Sequence, residues 1–365
     1  MIPNTRSSPR KRGPRCFGVS ESALSTAIAR FIAATKKAWV PAFAALAGLI
    51  LAACGGPVAE PPKAPVPGGS GITIKAEALP LNPADPKQDR VGDFVYAGGL
   101  KLTSAQTSRL HGLSDLEVQP DGALVSVGDE GDLLKARVVL DAAGRLAGLS
   151  DARLTALAGL DGKPLQGKDN RDSEGLALMA NGDLLISFER RDRIWLYPKD
   201  GGPPRAVPSP AVKFPYNEGM EALAPDPARG PDAYFAGGET TGRTWACTLA
   251  GPCVEGPKVG LAVGFGLVAA RRLPQGRTAW LLRAFNPITK SVIQLEITDA
   301  TGDVIDMMTL RGPLTVDNFE GLAAVPAKNG PAPDGAVRFY LISDDNFSNS
   351  QRTLLLAFDW KMPRE

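Results

Sequence analysis

The sequence predicts an all-β chain folded as a β-propeller, with five visible repeats, five or six blades, and a ring closed by strands from both ends of the domain. Three observations predict it. First, five stretches resemble one another: Ser114-Asp115-Leu116-Glu117, Glu174-Gly175-Leu176-Ala177, Glu221-Ala222-Leu223-Ala224, Glu320-Gly321-Leu322-Ala323 and, in degenerate form, Val268-Ala269-Ala270-Arg271. Their first residues stand 60, 47, 47 and 52 positions apart, which suits a four-stranded blade. Second, the repeats pass from a short apolar strand through a turn into another strand, as in Gln119-Pro120-Asp121-Gly122 before Ala123–Val127 and Ala180-Asn181-Gly182-Asp183 before Leu184–Phe188. Asp-Gly and Asn-Gly between apolar runs are hairpin signals. Third, 32 prolines and 40 glycines interrupt the chain too often for long helices.

The first segment, 1–53, reads as a signal peptide with an N-terminal extension. Lys36 and Lys37 precede a small, apolar run from Ala38 to Ala53 that is too short to span a bilayer and is weakened by Pro41. It ends in Leu51-Ala52-Ala53-Cys54, which resembles a bacterial lipobox, so Cys54 is expected to carry a lipid and become the new N-terminus. Gly55 after the cysteine, in place of aspartate, points to an outer-membrane lipoprotein, facing the periplasm or the cell surface. Residues 54–71, mainly Gly, Pro, Ala and Val, form a tether. The remaining domain, 72–365, holds all five repeats. A formal net charge of +2 becomes about −5 once the basic leader is removed, so nothing favours nucleic acid as a partner.

Within the domain, Ile72–Ala76 or Asp93–Tyr96 is expected to join the last repeat, whose final strand ends at Trp360, and so close a monomeric ring. Cys247 and Cys253 flank a Gly251-Pro252 turn between two strand-forming runs and are expected to form a local disulfide in an oxidising compartment.

The first strand of each propeller blade lines the central channel, so repeated residues at one strand end become neighbours. Glu174, Glu221 and Glu320 form one such acidic series. A second ends the following strands: Asp129 with Glu130, Glu189, Glu239, and Asp344 with Asp345. Converging carboxylates repel and raise one another's pKa unless cations neutralise them. Calcium suits such a site because it accepts many oxygen ligands in loose geometry. Glu174, Glu221, Glu320, Asp344 and Asp345 are the candidate ligands. Arg171, Arg190, Arg283 and Arg352 are the candidate substrate-binding groups, since a guanidinium holds phosphate or carboxylate oxygens in a bidentate fashion. The alternative for each acid is a loop cap or an ion pair with those same arginines. A single histidine, His111, excludes multi-histidine zinc or copper sites and reads as a channel-mouth or loop residue. No Gly-x-Ser-x-Gly elbow, phosphate-binding loop or dinucleotide fingerprint is present.

Five motifs carry a family resemblance: Arg171–Ala177, Ser187–Arg190, Asn217–Leu223, Asn318–Ala323, and Leu341–Phe347 followed by Gln351–Leu354. They resemble the bacterial phytase-like proteins described as "esterase-like activity of phytase", over about Asp93 to Trp360. The resemblance implies ester or phosphoester hydrolysis on a propeller and supports Glu174, Glu221, Glu320 and Asp344 or Asp345 as channel positions. Ser114 and Val268 depart from the repeated glutamate and leave the acidic ring incomplete. The Arg-His-Gly of histidine acid phosphatases is absent, which excludes a phosphohistidine route. Two functions follow: a calcium-dependent envelope hydrolase acting on a small anionic or phosphorylated molecule, or a non-catalytic propeller that binds a small anionic ligand or protein partner.

Overall fold

The computed structural model describes residues 70–288, 290–327 and 335–363. The expected signal peptide, Cys54 and the expected tether up to residue 69 lie outside the described residues. Among the described residues, twenty-three strands form five antiparallel sheets, each a blade, so the blade number is five.

Blade 1 runs outward from the axis through β5 (Leu113–Val118), β6 (Ala123–Gly128), β7 (Asp132–Leu140) and β8 (Leu146–Ala156), with β1 (Ser70–Gly71) on its outer edge. Blade 2 is β9 (Ser173–Leu178), β10 (Leu184–Phe188), β11 (Arg193–Tyr197) and β12 (Arg205–Val207). Blade 3 is β13 (Met220–Pro225), β14 (Ala233–Gly238), β15 (Thr244–Thr248) and β16 (Val254–Glu255). Blade 4 is β17 (Phe265–Arg272), β18 (Thr278–Asn286), β19 (Lys290–Thr298) and β20 (Val304–Leu310). Blade 5 takes β21 (Phe319–Pro326), β22 (Ala336–Ser343) and β23 (Leu354–Lys361) from the C-terminal end. Its remaining strands, β4 (Phe94–Thr103) and β2 (Lys75–Ala78), come from the N-terminal end, and β3 (Arg90–Val91) pairs with β4.

The ring therefore closes as expected, through the Asp93–Tyr96 region: Phe94 pairs with Trp360 and Tyr96 with Phe358. The Ile72–Ala76 region joins the same sheet at its outer edge, through Lys75 and Ala76, and the residues just before it reach another blade. Ser70 and Gly71 pair with Leu154 and Arg153 of blade 1, and a few residues later Lys75 pairs with Thr103 of blade 5. One short segment thus bridges the two blades that meet at the closure. Cys247 and Cys253 form the expected disulfide, beside the β15–β16 turn.

Apolar side chains on both faces of each sheet fill the wedges between successive blades. Val127 and Leu176 lie between blades 1 and 2, Leu196 and Tyr234 between blades 2 and 3, and Phe235 and Leu282 between blades 3 and 4. Leu295 and Phe339 fill the next wedge, and Leu116 and Leu355 the last. Inner strands β5, β9, β13, β17 and β21 contact one another in a closed cycle around the axis.

Every inner strand carries a β-bulge, and the bulged positions fall at Ser114, at Glu174 with Gly175, and at Glu221, Val268 and Glu320, the residues that open the five sequence repeats. A bulge re-aims the side chain it carries, and here it does so at one level of all five blades. The residue after the bulge meets a tightly packed neighbour. A Cβ on Gly175 would lie 2.3 Å from the carbonyl oxygen of Glu221, and one on Gly321 would lie 2.7 Å from the Cα of Asp115. That close approach is why glycine follows glutamate in Glu174-Gly175 and Glu320-Gly321.

Candidate active site at the channel mouth

The inner edge of each inner strand has no neighbouring strand to pair with, so its amides and carbonyls must be satisfied otherwise. Two side chains do this for the whole ring. Asp115 accepts from the amides of Leu116, Leu176 and Leu322, at 2.8, 2.9 and 3.1 Å. Arg271 donates to the carbonyls of Leu116, Leu176, Leu223 and Ala270, at 2.7, 3.3, 2.9 and 2.6 Å. All five residues stand two positions beyond a bulge, at equivalent places in the five blades. Arg271 also donates to both oxygens of Asp115 at 3.0 Å, and its Nε lies 3.4 Å from Glu117. This pair fastens the five inner strands to one another and fills the axis at that level. Asp115, Glu117 and Arg271 sit in the first and fourth repeats, so the departures from the repeated pattern are the residues that plug the channel. Burial pushes the Glu117 carboxyl up to about 7 despite the neighbouring guanidinium.

Above the plug the acids converge. One carboxylate oxygen from each of Asp172, Glu174 and Glu189 lies within 4.8 Å of the others, and the same holds for Glu189, Glu221 and Glu239. Glu189 belongs to both groups, so the two are contiguous. Burial, reinforced by the charges of Glu221, Asp172, Glu189 and Glu320, pushes the Glu174 carboxyl well above the usual range. Burial does the same to Glu221, with Glu239, Glu320 and Glu189 adding to it and Arg283 opposing. Glu189 is raised to about 7, mainly by burial, although the Gly219 amide donates to it at 2.8 Å. Oε2 of Glu221 is enclosed and has no hydrogen-bond partner among the described residues.

Arg283 is the cation set into this ring. It donates to Glu320, to Glu239 at 2.9 Å and to Asn318 at 2.9 Å, and Asn318 in turn donates to Glu320 at 2.8 Å. Burial works against its charge, but the carboxylates of Glu320, Glu221 and Glu239 outweigh it and raise its pKa. Glu320 is nonetheless raised, because burial exceeds the help from Arg283. Asp344 is buried and raised well above its usual range, by burial and then by Glu320 and Asp129.

Asp345 stands apart from that ring. It accepts from the amides of Gly112 and Phe347, at 3.1 and 3.2 Å, and from Thr353 at 2.7 Å, and His111 Nδ1 lies 2.5 Å from its Oδ2. Burial would raise this carboxyl, but the bonds from His111 and Thr353 prevail and hold it below the usual range. The same bond raises His111. Among the described residues Ser114 bonds only the Gly112 carbonyl, so His111 and Ser114 make no nucleophile–base pair.

The four arginines divide between two sides of the mouth. Arg171, at the end of the one-turn helix α1 (Lys168–Arg171), pairs with Glu130, and Arg190 pairs with Asp172 beside the ring of Tyr216. Lys168 is 2.6 Å from both Asp129 and Asp172, and those partners outweigh its burial and raise its pKa. Arg283 and Arg352 line a cavity of about 990 Å³ that opens between blades 3, 4 and 5, where Arg352 is held 3.0 Å from Asp317. Asp172 is a ring member that the repeat alone did not reveal, because it precedes β9 and has no counterpart in the other repeats. Its position inside the charged run Lys168–Glu174 was the available signal.

The donor set suits a hard cation. Several buried carboxylates, one of them with an unpartnered oxygen, share a site in which Arg283 is, among the described residues, the one cation bonded to Glu239 and Glu320, and oxygen-only donors are what calcium takes.

Fold and site together define a five-bladed β-propeller closed at the axis by an Asp–Arg pair, with a carboxylate-lined mouth above it. The chain belongs to the phytase-like family, described as "esterase-like activity of phytase", with residues 108–347 matched. No curated protein matches. Among solved structures, regucalcin, a calcium-binding protein from Agrobacterium tumefaciens, is 14% identical over 83% of this chain and 98% of its own, with a TM-score of 0.39. Virginiamycin B lyase from Staphylococcus aureus is 11% identical over 79% and 99%, with a TM-score of 0.41. The Malassezia sympodialis allergen Mala s 1 is 12% identical over 80% and 96%, with a TM-score of 0.40. Likenesses this distant have no bearing on activity.

Proposed function

We propose that this chain is an exported outer-membrane lipoprotein, anchored through Cys54, whose acidic mouth holds calcium and hydrolyses an ester or phosphoester of a small anionic molecule. The convergence of Asp172, Glu174 and Glu189, and of Glu189, Glu221 and Glu239, in two groups that share Glu189, with cations paired only to Asp172 and Glu239 among the described residues, carries this reading. Glu174, Glu221 and Glu320 are the metal-holding residues, and Glu189 and Glu239 complete the oxygen set. Calcium bound there would polarise the scissile oxygen and favour deprotonation of water. Arg352 and Arg283 face the cavity and orient the anionic end of a substrate, while Arg190 serves the opposite side of the mouth at Tyr216. The Asp115–Arg271 plug makes the mouth a closed-ended pocket, which helps exclude bulk water from the carboxylates.

The test measures calcium binding by calorimetry on the full chain, together with turnover of phosphomonoesters and carboxyl esters with calcium and with chelator. Wild type should bind calcium and turn over at least one ester class, and Glu174→Gln and Glu221→Gln should weaken both by tenfold or more, the scale at which one charged ligand is lost. Calcium binding that raises the melting temperature with no turnover of any ester would establish the non-catalytic binding protein instead. The anchor is checked separately: Cys54→Ala should release the protein from the membrane fraction and abolish incorporation of labelled fatty acid.

A further inference from the structure

The cavity beside the acidic ring shares Glu239 and Arg283 with it, so whatever occupies the cavity abuts the carboxylates. Its charge is low. Arg283 is engaged by Glu239 and Glu320, and Arg352 by Asp317, which leaves Lys290 as the one lining cation without an acidic partner among the described residues. A polyphosphate needs several unpaired cations to replace its counterions.

Apolar groups line the cavity beside these charges. Phe285, on the β18–β19 hairpin, lines the cavity and is 63% exposed, with Phe265 and Val316 also facing it. An aromatic side chain left this exposed at a pocket wall marks a surface that gains from being covered by a ligand. A volume of about 990 Å³ fits a molecule of cofactor size.

We infer that this cavity selects an ester built from one anionic group, oriented beside Arg283 and Arg352 and held at Lys290, and one apolar or aromatic group, laid against Phe285 and Phe265, and that it discriminates against inositol polyphosphates and other multiply charged, wholly polar substrates. The inference rests on the reading of the mouth as an ester-binding site. It places substrate selection on blade 4, adjoining the carboxylates but on different side chains.

The test uses ligands that are not hydrolysed, measured by calorimetry on the full chain in calcium: methylphosphonate, phenylphosphonate and an inositol trisphosphate. Phenylphosphonate should bind about tenfold more tightly than methylphosphonate, the effect of covering one aromatic face. The trisphosphate should bind no better than methylphosphonate. Phe285→Ser, at an exposed position, should erase the aromatic preference and leave methylphosphonate unchanged, whereas Lys290→Ala should weaken both phosphonates alike. Equal affinity for the two phosphonates, a preference that survives Phe285→Ser, tighter binding of the trisphosphate, or no binding of any probe would overturn the inference. Turnover of 4-nitrophenyl phosphate and 4-nitrophenyl acetate on the same sample separates the two ideas. Aromatic preference without turnover refutes the hydrolase and leaves the inference standing, and turnover without preference does the reverse.

Discussion

Arg271→Met removes the cation at the propeller axis while keeping a side chain of similar length. Asp115 loses both 3.0 Å contacts, and the carbonyls of Leu116, Leu176 and Leu223 lose their donor at once. Stranding one member of a buried ion pair costs about 3–5 kcal/mol. At an unfolding entropy of about 2.1 cal/mol/K per residue over the roughly 290 residues of the propeller, that converts to a fall in melting temperature of about 5–8 °C. Differential scanning calorimetry of the full chain measures it. The partner substitution sharpens the test, because Asp115→Asn keeps an acceptor for the amides of Leu116 and Leu322, gives up the one that serves Leu176, and removes the stranded charge. The double variant Asp115→Asn/Arg271→Met should therefore melt above Arg271→Met alone. If Arg271→Met melts within about 1 °C of wild type, or the second substitution adds its full separate cost, the pair is not what fastens the ring.

Other outcomes follow from the same contacts. Glu117 and Glu189 hold their protons to about pH 7 in the folded chain, whereas the unfolded value is 4.5, so the folded state binds more protons between those limits. Stability of the calcium-free protein should then fall as pH rises from about 4.5 to about 7 and flatten above, which melting curves across that range would show. Calcium at the mouth must displace the Glu189 proton, so the gain in melting temperature on adding it should grow over the same window; a gain independent of pH would place the ion elsewhere. Gly175→Ala forces a Cβ to 2.3 Å from the Glu221 carbonyl, and backbone has little freedom to yield. A loss of about 1–3 kcal/mol in denaturant unfolding is expected, with weaker calcium binding because β9 and β13 are pushed apart. Gly201→Ala, at an open turn with nothing within 4 Å, should leave calcium binding at the wild-type level.

The repeat was the legible part. Its spacing and hairpin dipeptides determine the propeller, and its opening residue marks the bulge in every blade, because a bulge needs local backbone and side-chain features that recur in sequence. The convergence of Glu174, Glu221 and Glu320 on one mouth followed from that periodicity alone, whereas periodicity leaves Ile72–Ala76 and Asp93–Tyr96 both open as the closing segment.

What the repeat could not convey was the meaning of its own exceptions. Ser114-Asp115-Leu116-Glu117 and Val268-Ala269-Ala270-Arg271 look like decay when read along the chain. Across the ring they are complementary: Asp115 and Arg271 are 156 residues apart and bonded, and together they satisfy edge groups on all five inner strands. Likewise, nothing in sequence distinguishes Asp344 from Asp345. Tertiary structure does so by bringing His111, from more than two hundred residues away, against one of them. Residues i and i+2 of a strand are fixed by local geometry, so sequence alone settles strands, turns and the level at which a side chain leaves the sheet. Which side chain then meets which depends on how five separate sheets close around an axis, and only the closed ring decides that.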